Sequence, residues 1–187
     1  MAGAQKKACV EGFTLVCVDE AGFYLLPRVA RTYAPRGHPP ILRPVLTRDH
    51  LSVLSGITMT GSLYTMVRRK ALTSADSVTF LKHLLHHIRG KVLVIWDGSP
   101  LHRGDGRTLL AEGGTTRLHL EQRPPYAPDL NPDEGVWQYL KNVSMRNLCC
   151  LNLKHLHREL TLAITRLRRQ PHLIQACFAG AGLDINV

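Results

Sequence analysis

Two short stretches of this chain are apolar at almost every position, Phe13 to Asp19 (FTLVCVD) and Lys91 to Trp96 (KVLVIW). Runs of that length, β-branched and without polar alternation, predict strands covered on both faces, hence central in a sheet, with the second parallel to the first. Each run ends at an aspartate, Asp19 and Asp97. His50 to Thr58 (HLSVLSGIT) and Ser62 to Arg68 (SLYTMVR) predict two more strands about a Thr60-Gly61 turn, so the early chain reads as an antiparallel meander. A further short strand is predicted over Arg117 to Leu120.

Elsewhere the apolar period changes to that of a helix. Ser74 caps a predicted helix running to Arg89, with Val78, Leu81, Leu84, Leu85 and Ile88 inward and Gly90 as its stop. His83 and His87 share a face of it, but no carboxylate stands between them in the manner of zinc proteases, so exposed histidines on a basic face are expected. After Asp97, the turn Gly98-Ser99-Pro100 leads through Leu101-His102-Arg103 into a helix expected to reach roughly Glu112, then Gly113-Gly114. Leu153 to Gln170 predicts a helix with Leu153, Leu156, Leu160, Ala163, Ile164 and Leu167 inward. Lys154, His155, Arg158, Arg166, Arg168 and Arg169 fall mostly outward, as suits either a phosphate backbone or solvent. Pro171 is expected to end that helix, and Ala179 to Val187 to form a small, polar, poorly packed tail. Met1 to Gly12 shows no pattern. Arg28 to Pro40 (RVARTYAPRGHPP) reads as a hairpin or loop carrying Arg31 and Arg36.

The stretch richest in signals is Pro124 to Lys141, PPYAPDLNPDEGVWQYLK. Its prolines hold the approach extended. Asn131 then predicts an N-cap, Pro132 the first helical position, and Glu134 the third, from which its side chain can return to the cap. Val136, Tyr139, Leu140 and Val143 form the expected apolar stripe, with Glu134, Gln138 and Lys141 on another face. Taken alone, Glu134 is a capping residue.

Composition narrows the partner. At 187 residues the chain fits one domain. Its 24 Lys+Arg against 14 Asp+Glu give a formal charge of +10, which favours a polyanion. Five cysteines, an odd number including the adjacent Cys149 and Cys150, show neither disulfide nor metal spacing and fit a reducing compartment. No signal-peptide pattern or eighteen-residue apolar run occurs, so a soluble, intracellular protein is expected.

Two buried strands each ending in Asp, with a helix starting in Glu, form a constellation suited to divalent metal, because a hard cation needs several oxygen ligands from separate segments. VDEAGF around Asp19, RTYAPRGHPP, WDGSPLHR around Asp97 and PYAPDLNPDEGVW around Glu134 together resemble the DDE endonuclease domain of bacterial insertion-sequence transposases related to the mariner elements. The resemblance covers essentially the whole chain. It implies an α/β, RNase H-like (retroviral-integrase-like) fold, a mixed five-stranded sheet flanked by helices, with Asp19, Asp97 and Glu134 as the catalytic, metal-binding triad. The gap of 37 positions from Asp97 to Glu134 lies near the spacing of such transposases. Many relatives have Asn where Gly98 stands, so a contact of that side chain is lost.

Two Mg²⁺ or Mn²⁺ ions held about 3.5–4 Å apart would then serve an in-line displacement in which water, and afterwards the freed 3′-hydroxyl, attacks DNA. His102, Arg103 and Lys141 are candidates for steadying phosphate charge, and Arg31 and Arg36 for lying along double-stranded DNA. The resemblance further implies a homodimer in the DNA complex, a bacterial cytoplasmic setting at the nucleoid, and a helix-turn-helix part that is separate or removed. An RNase H-like nuclease without strand transfer, and an inactive DNA-binding relic, are the alternatives.

Overall fold

The two doubly apolar runs lie side by side at the centre of a five-stranded sheet in the computed structural model, which describes residues 2–97, 116–123 and 128–183. The strands are β1 (Phe13–Tyr24), β2 (His50–Thr58), β3 (Leu63–Arg68), β4 (Lys91–Trp96) and β5 (Leu118–Gln122), in the order β3-β2-β1-β4-β5. β1, β2 and β3 pair antiparallel, whereas β4 is parallel to β1 and β5 to β4. The meander is therefore completed into a mixed sheet, as expected. At the β2–β3 turn Gly61 has φ +86, and a Cβ there would lie 2.6 Å from that of Pro171, so only glycine fits.

Contrary to expectation, Asp19 does not end β1. The strand continues to Tyr24 because β2 pairs with it from Val16↔Thr58 to Tyr24↔His50, while the pairing with β4 stops at Cys17↔Ile95. Asp19 thus marks the place where β1 loses one neighbour and keeps the other.

Helices cover both faces, and each buried Leu, Ile, Val or Phe contributes roughly 1.5–3 kcal/mol. On one face α2 (Ser74–His87) sets Phe80, Leu81 and Leu84 against Val16, Val18, Leu54, Val92 and Val94. Its cap is Thr73, one residue earlier than expected. Thr73 and Asp76 form a reciprocal capping box that Arg68 braces from β3, its Nε donating to Asp76 Oδ1 at 2.7 Å. Phe80, absent from the predicted stripe, is among the most deeply buried side chains, whereas Val78 and Leu85 are only half-buried. On the opposite face lie α3 (Pro132–Tyr139), α4 (Leu153–Arg168) and α5 (Pro171–Gly180).

α4 buries Leu156, Leu160, Ala163, Ile164 and Leu167 as its periodicity predicts. One of its outward cations, exposed as expected, also braces the sheet. Arg168 donates to Leu63 O and Thr65 Oγ1, both at 2.9 Å, and ties the helix end to β3. Pro171 does end α4, and at once starts α5, since proline suits a first helical position. The expected poorly packed tail from Ala179 to Val187 is corrected in its described part, where Ala181 and Leu183 are buried beside Phe178. The patternless N-terminus is likewise a helix, α1 (Ala2–Glu11), whose Ala8 packs on Phe13, Leu15, Leu93 and Ile95. No described helix is long and apolar enough to cross a membrane.

Candidate active site

The acidic residues gather where the sheet splits. Carrying the β1–β4 register two residues past Cys17↔Ile95 aligns Asp19 with Asp97, the residue following β4. In the other direction Asp19 pairs with Ser55 of β2. Glu20, next along β1, responds to both aspartates: burial first, then the charges of Asp97 and Asp19, raises its pKa above the usual carboxylate range. Two of the three predicted carboxylates therefore share the edge at which β1 parts from β4, Asp19 within the longer strand and Asp97 just past the shorter one.

Glu134 reaches this edge through α3. A short 3-10 turn, Pro128–Leu130, precedes the helix, and Asn131 caps it by accepting from the backbone N–H of Asp133 at 3.3 Å. Glu134 does not return to the cap. Its side chain is exposed and free of that bond, so the capping role open to it in the sequence is not taken up. One turn later Trp137 is buried and donates Nε1–H to Asp19 Oδ2 at 2.9 Å, with its ring edge-on to Phe23. The helix can lie this deep because Gly135 faces α5, where a Cβ would stand 2.7 Å from Cys177 Sγ. Val143 of the predicted stripe is exposed instead, because the chain widens into a π-helical turn over Leu140–Ser144 and the stripe rotates away.

Asp19 has a second partner. Arg123, just past β5, is buried and donates from Nη2 to Asp19 Oδ1 at 3.3 Å. Its backbone N–H in turn bonds Trp96 O at 2.8 Å, which continues the β4–β5 pairing to the edge. Neither Arg123 nor Trp137 stands out in the sequence as a site residue. Trp137 had a signal in its position one turn after Glu134, but Arg123 had none.

Lys141 sits beside the edge with its Nζ 5.2 Å from the centre of the Phe23 ring. Burial lowers its pKa, opposed chiefly by the charge of Glu134 and then by that of Asp19, so the lysine senses both carboxylates. Along with Arg28 it lines a cavity of about 270 Å³ walled by Phe23, Leu26, Met145 and Leu148. Arg31 and Arg36 are exposed on the long segment joining β1 to β2. That segment is held at its base by Asn147 (φ 57), whose side chain exchanges two hydrogen bonds with the backbone of Ala30, at 2.8 and 3.0 Å. His102, Arg103 and the helix expected up to Glu112 lie outside the described residues.

Beneath the edge is a further carboxylate. Asp133 is fully buried, its Oδ1 accepts a hydrogen bond from Ser55 Oγ, and its Oδ2 has no partner among the described residues. Burial, then the charge of Asp19, raises its pKa, against the opposing Ser55 bond and Arg123. As the side chains stand, no three His, Cys, Asp or Glu among the described residues are grouped closely enough to hold a metal ion. The donors at the edge are nevertheless all hard oxygens, Asp19, Glu20, Asp97 and Glu134, the chemistry that suits Mg²⁺ or Mn²⁺.

The chain superposes on a crystal structure of the mariner Mos1 paired end complex with Mg (TM-score 0.64, 15% identity), covering 97% of this chain and 61% of that one. The Mos1 strand transfer complex gives a TM-score of 0.59 at 15% identity, covering 98% and 62%. The catalytic domain of Mos1 mariner transposase alone gives 0.56 at 12% identity, covering 96% of this chain and 89% of that one. This chain thus spans about three-fifths of the length of the larger transposase chains it resembles, and shares with them the RNase H-like fold. Among curated proteins none matches the sequence. A family model described as DDE superfamily endonuclease matches residues 14–156. Because that match runs from the second residue of β1 into the first turn of α4, and so takes in the whole acidic edge, the chain belongs to the DDE superfamily endonucleases.

Proposed function

We propose that this chain is the catalytic domain of a transposase, which cleaves DNA at the ends of a mobile element and joins the freed ends to target DNA. Asp19, Asp97 and Glu134 are its triad. The observation that carries the reading is the register of β1 and β4, which aligns two aspartates at one edge while α3, tied to Asp19 through Trp137, brings a glutamate to the same edge. Membership of the endonuclease family supports the reaction class, and the likeness to Mos1 paired end and strand transfer complexes supports DNA as substrate.

The chain's own part is positional. Trp137 and Arg123 aim the two oxygens of Asp19 by hydrogen bonds, and an exposed Glu134 faces outward from the first turn of its helix. Asp19, Asp97 and Glu134 would hold two divalent cations, which would supply positive charge to the attacking and leaving oxygens. Lys141 meets the phosphate beside them, and Arg31, Arg36, His102 and Arg103 contact the DNA backbone, consistent with a net charge of +10. The complex is a homodimer on paired ends, and terminal-repeat recognition comes from a helix-turn-helix part outside these 187 residues. This chain alone accordingly binds DNA weakly, with steep salt dependence and little sequence preference.

The test is cleavage and joining of labelled DNA, including pre-cut ends, with Mg²⁺, Mn²⁺ or Ca²⁺. Mg²⁺ or Mn²⁺ should support nicking and joining that Asp97→Asn abolishes. Hydrolysis without joining of pre-cut ends, or near wild-type cutting by Asp97→Asn, would refute the proposal.

A further inference from the structure

Asp133 is chemically out of place. A carboxylate at zero exposure with one oxygen unpartnered costs stability, and an apolar residue would fill the same space on the buried side of α3 more cheaply. Its one hydrogen bond runs to Ser55 of β2, itself fully buried, and Ser55 is the residue that pairs with Asp19 across the sheet. Asp133 also directly precedes Glu134. Two ties therefore join α3 to the strands at the acidic edge: Asp133 to Ser55 before Glu134, and Trp137 to Asp19 one turn after it.

Their geometry is that of a strut. Apolar packing by Val136 and Leu140 holds a helix against a sheet but tolerates sliding along it, because the hydrophobic effect has no direction. A hydrogen bond between two buried groups fixes distance and register. With Ser55 fixed beside Asp19 by the β1–β2 pairing, and Asp133 fixed beside Glu134 by the helix, the bond sets how far Glu134 stands from Asp19.

We infer that Asp133, acting through Ser55, is a positioning residue that sets the separation of Glu134 from Asp19. The inference rests on the triad assignment proposed above. Stability is given up for placement, as at other sites where a buried polar pair specifies geometry.

The experiment compares the double variant Ser55→Ala/Asp133→Val, and the single variant Asp133→Asn, with wild type. Replacing both partners by apolar groups removes the strut without orphaning either, so thermal stability should equal or exceed that of wild type. The double variant should lose at least tenfold in kcat for DNA cleavage, while its DNA dissociation constant stays within twofold. Quenching by Mn²⁺ of Trp96 and Trp137, the two tryptophans, reads cation binding without turnover, and should need at least fivefold more Mn²⁺ in the double variant. Asp133→Asn, which keeps an oxygen for the Ser55 hydroxyl, should stay within threefold of wild type in both kcat and quenching. A stable double variant that cuts and quenches like wild type overturns the inference, as does Asp133→Asn falling as far as the double variant. A double variant whose melting temperature drops along with its DNA affinity overturns it too, because the pair is then general scaffolding. Failure of wild type to cut DNA with any divalent ion counts instead against the triad, and the Mn²⁺ quenching comparison, which needs no turnover, then decides the inference by itself.

Discussion

Replacing Asp19 by Asn should unfold this domain more readily, while the corresponding change at Glu134 should not. The two residues share a proposed role but differ in surroundings. Asp19 is nearly buried and accepts from Trp137 Nε1 at 2.9 Å and from the buried Arg123 at 3.3 Å. In Asp19→Asn the amide oxygen can still accept from Trp137, but its NH₂ then faces the Arg123 guanidinium, donor against donor. Breaking a buried ion pair from one side costs about 3–5 kcal/mol. The Arg123 contact is a single, rather long hydrogen bond, and one bond to a charged group contributes about 1.5–3 kcal/mol, so a loss of about 2–4 kcal/mol is expected.

With a urea slope of about 2 kcal/mol/M, that lowers the unfolding midpoint by roughly 1–2 M. Glu134 makes no side-chain bond among the described residues and has only a favourable place at a helix N-terminus, so Glu134→Gln should cost about 0.5 kcal/mol or less. The assay is urea unfolding in EDTA followed by tryptophan fluorescence, with Arg123→Met/Asp19→Asn as a third variant. Removing the orphaned guanidinium should recover most of the loss. Equal midpoints for Asp19→Asn and Glu134→Gln, or no recovery in the double variant, would refute the argument.

Added Mn²⁺ should raise the melting temperature of wild type but not of Glu134→Gln, because a ligand bound only by the folded state stabilises it by about 2.7 kcal/mol at a hundred times its dissociation constant. Differential scanning fluorimetry with and without metal checks this. The hydrogen bond from Arg68 holds the Asp76 carboxyl below its usual pKa, so its stabilising effect is present above the unfolded value of about 3.9 and fades as pH falls through the lower folded one. Wild type should therefore exceed Asp76→Asn in stability at neutral pH by about 1–2 kcal/mol, as cap losses do, and the gap should close in acid unfolding titrations. Arg168→Met should lose about 1–3 kcal/mol with its two bonds to β3, whereas Arg166→Met on the exposed side should stay within 0.5 kcal/mol, both by urea unfolding.

The sequence by itself determined the elements whose burial is one-sided or complete. β2 and β4 fall at the predicted residues, and the inner face of α4 matches its stripe, because period and apolar runs are local properties that the chain carries wherever it folds. Asn131 and Pro132 likewise announced the start of α3 through backbone chemistry confined to four residues. Tertiary structure decided what depends on a distant neighbour. β1 outruns Asp19 only because β2 goes on pairing with it, and the stretch after Ala179, where small and polar residues suggested a loose tail, is packed because Ala181 and Leu183 find a core to enter. At the acidic edge the sequence offered Asp19, Asp97 and Glu134 by type and spacing. It was silent on Arg123 and the Ser55–Asp133 pair and marked Trp137 only by its place one turn after Glu134, for the bonds that orient a carboxylate join residues far apart in the chain, and no local pattern records them.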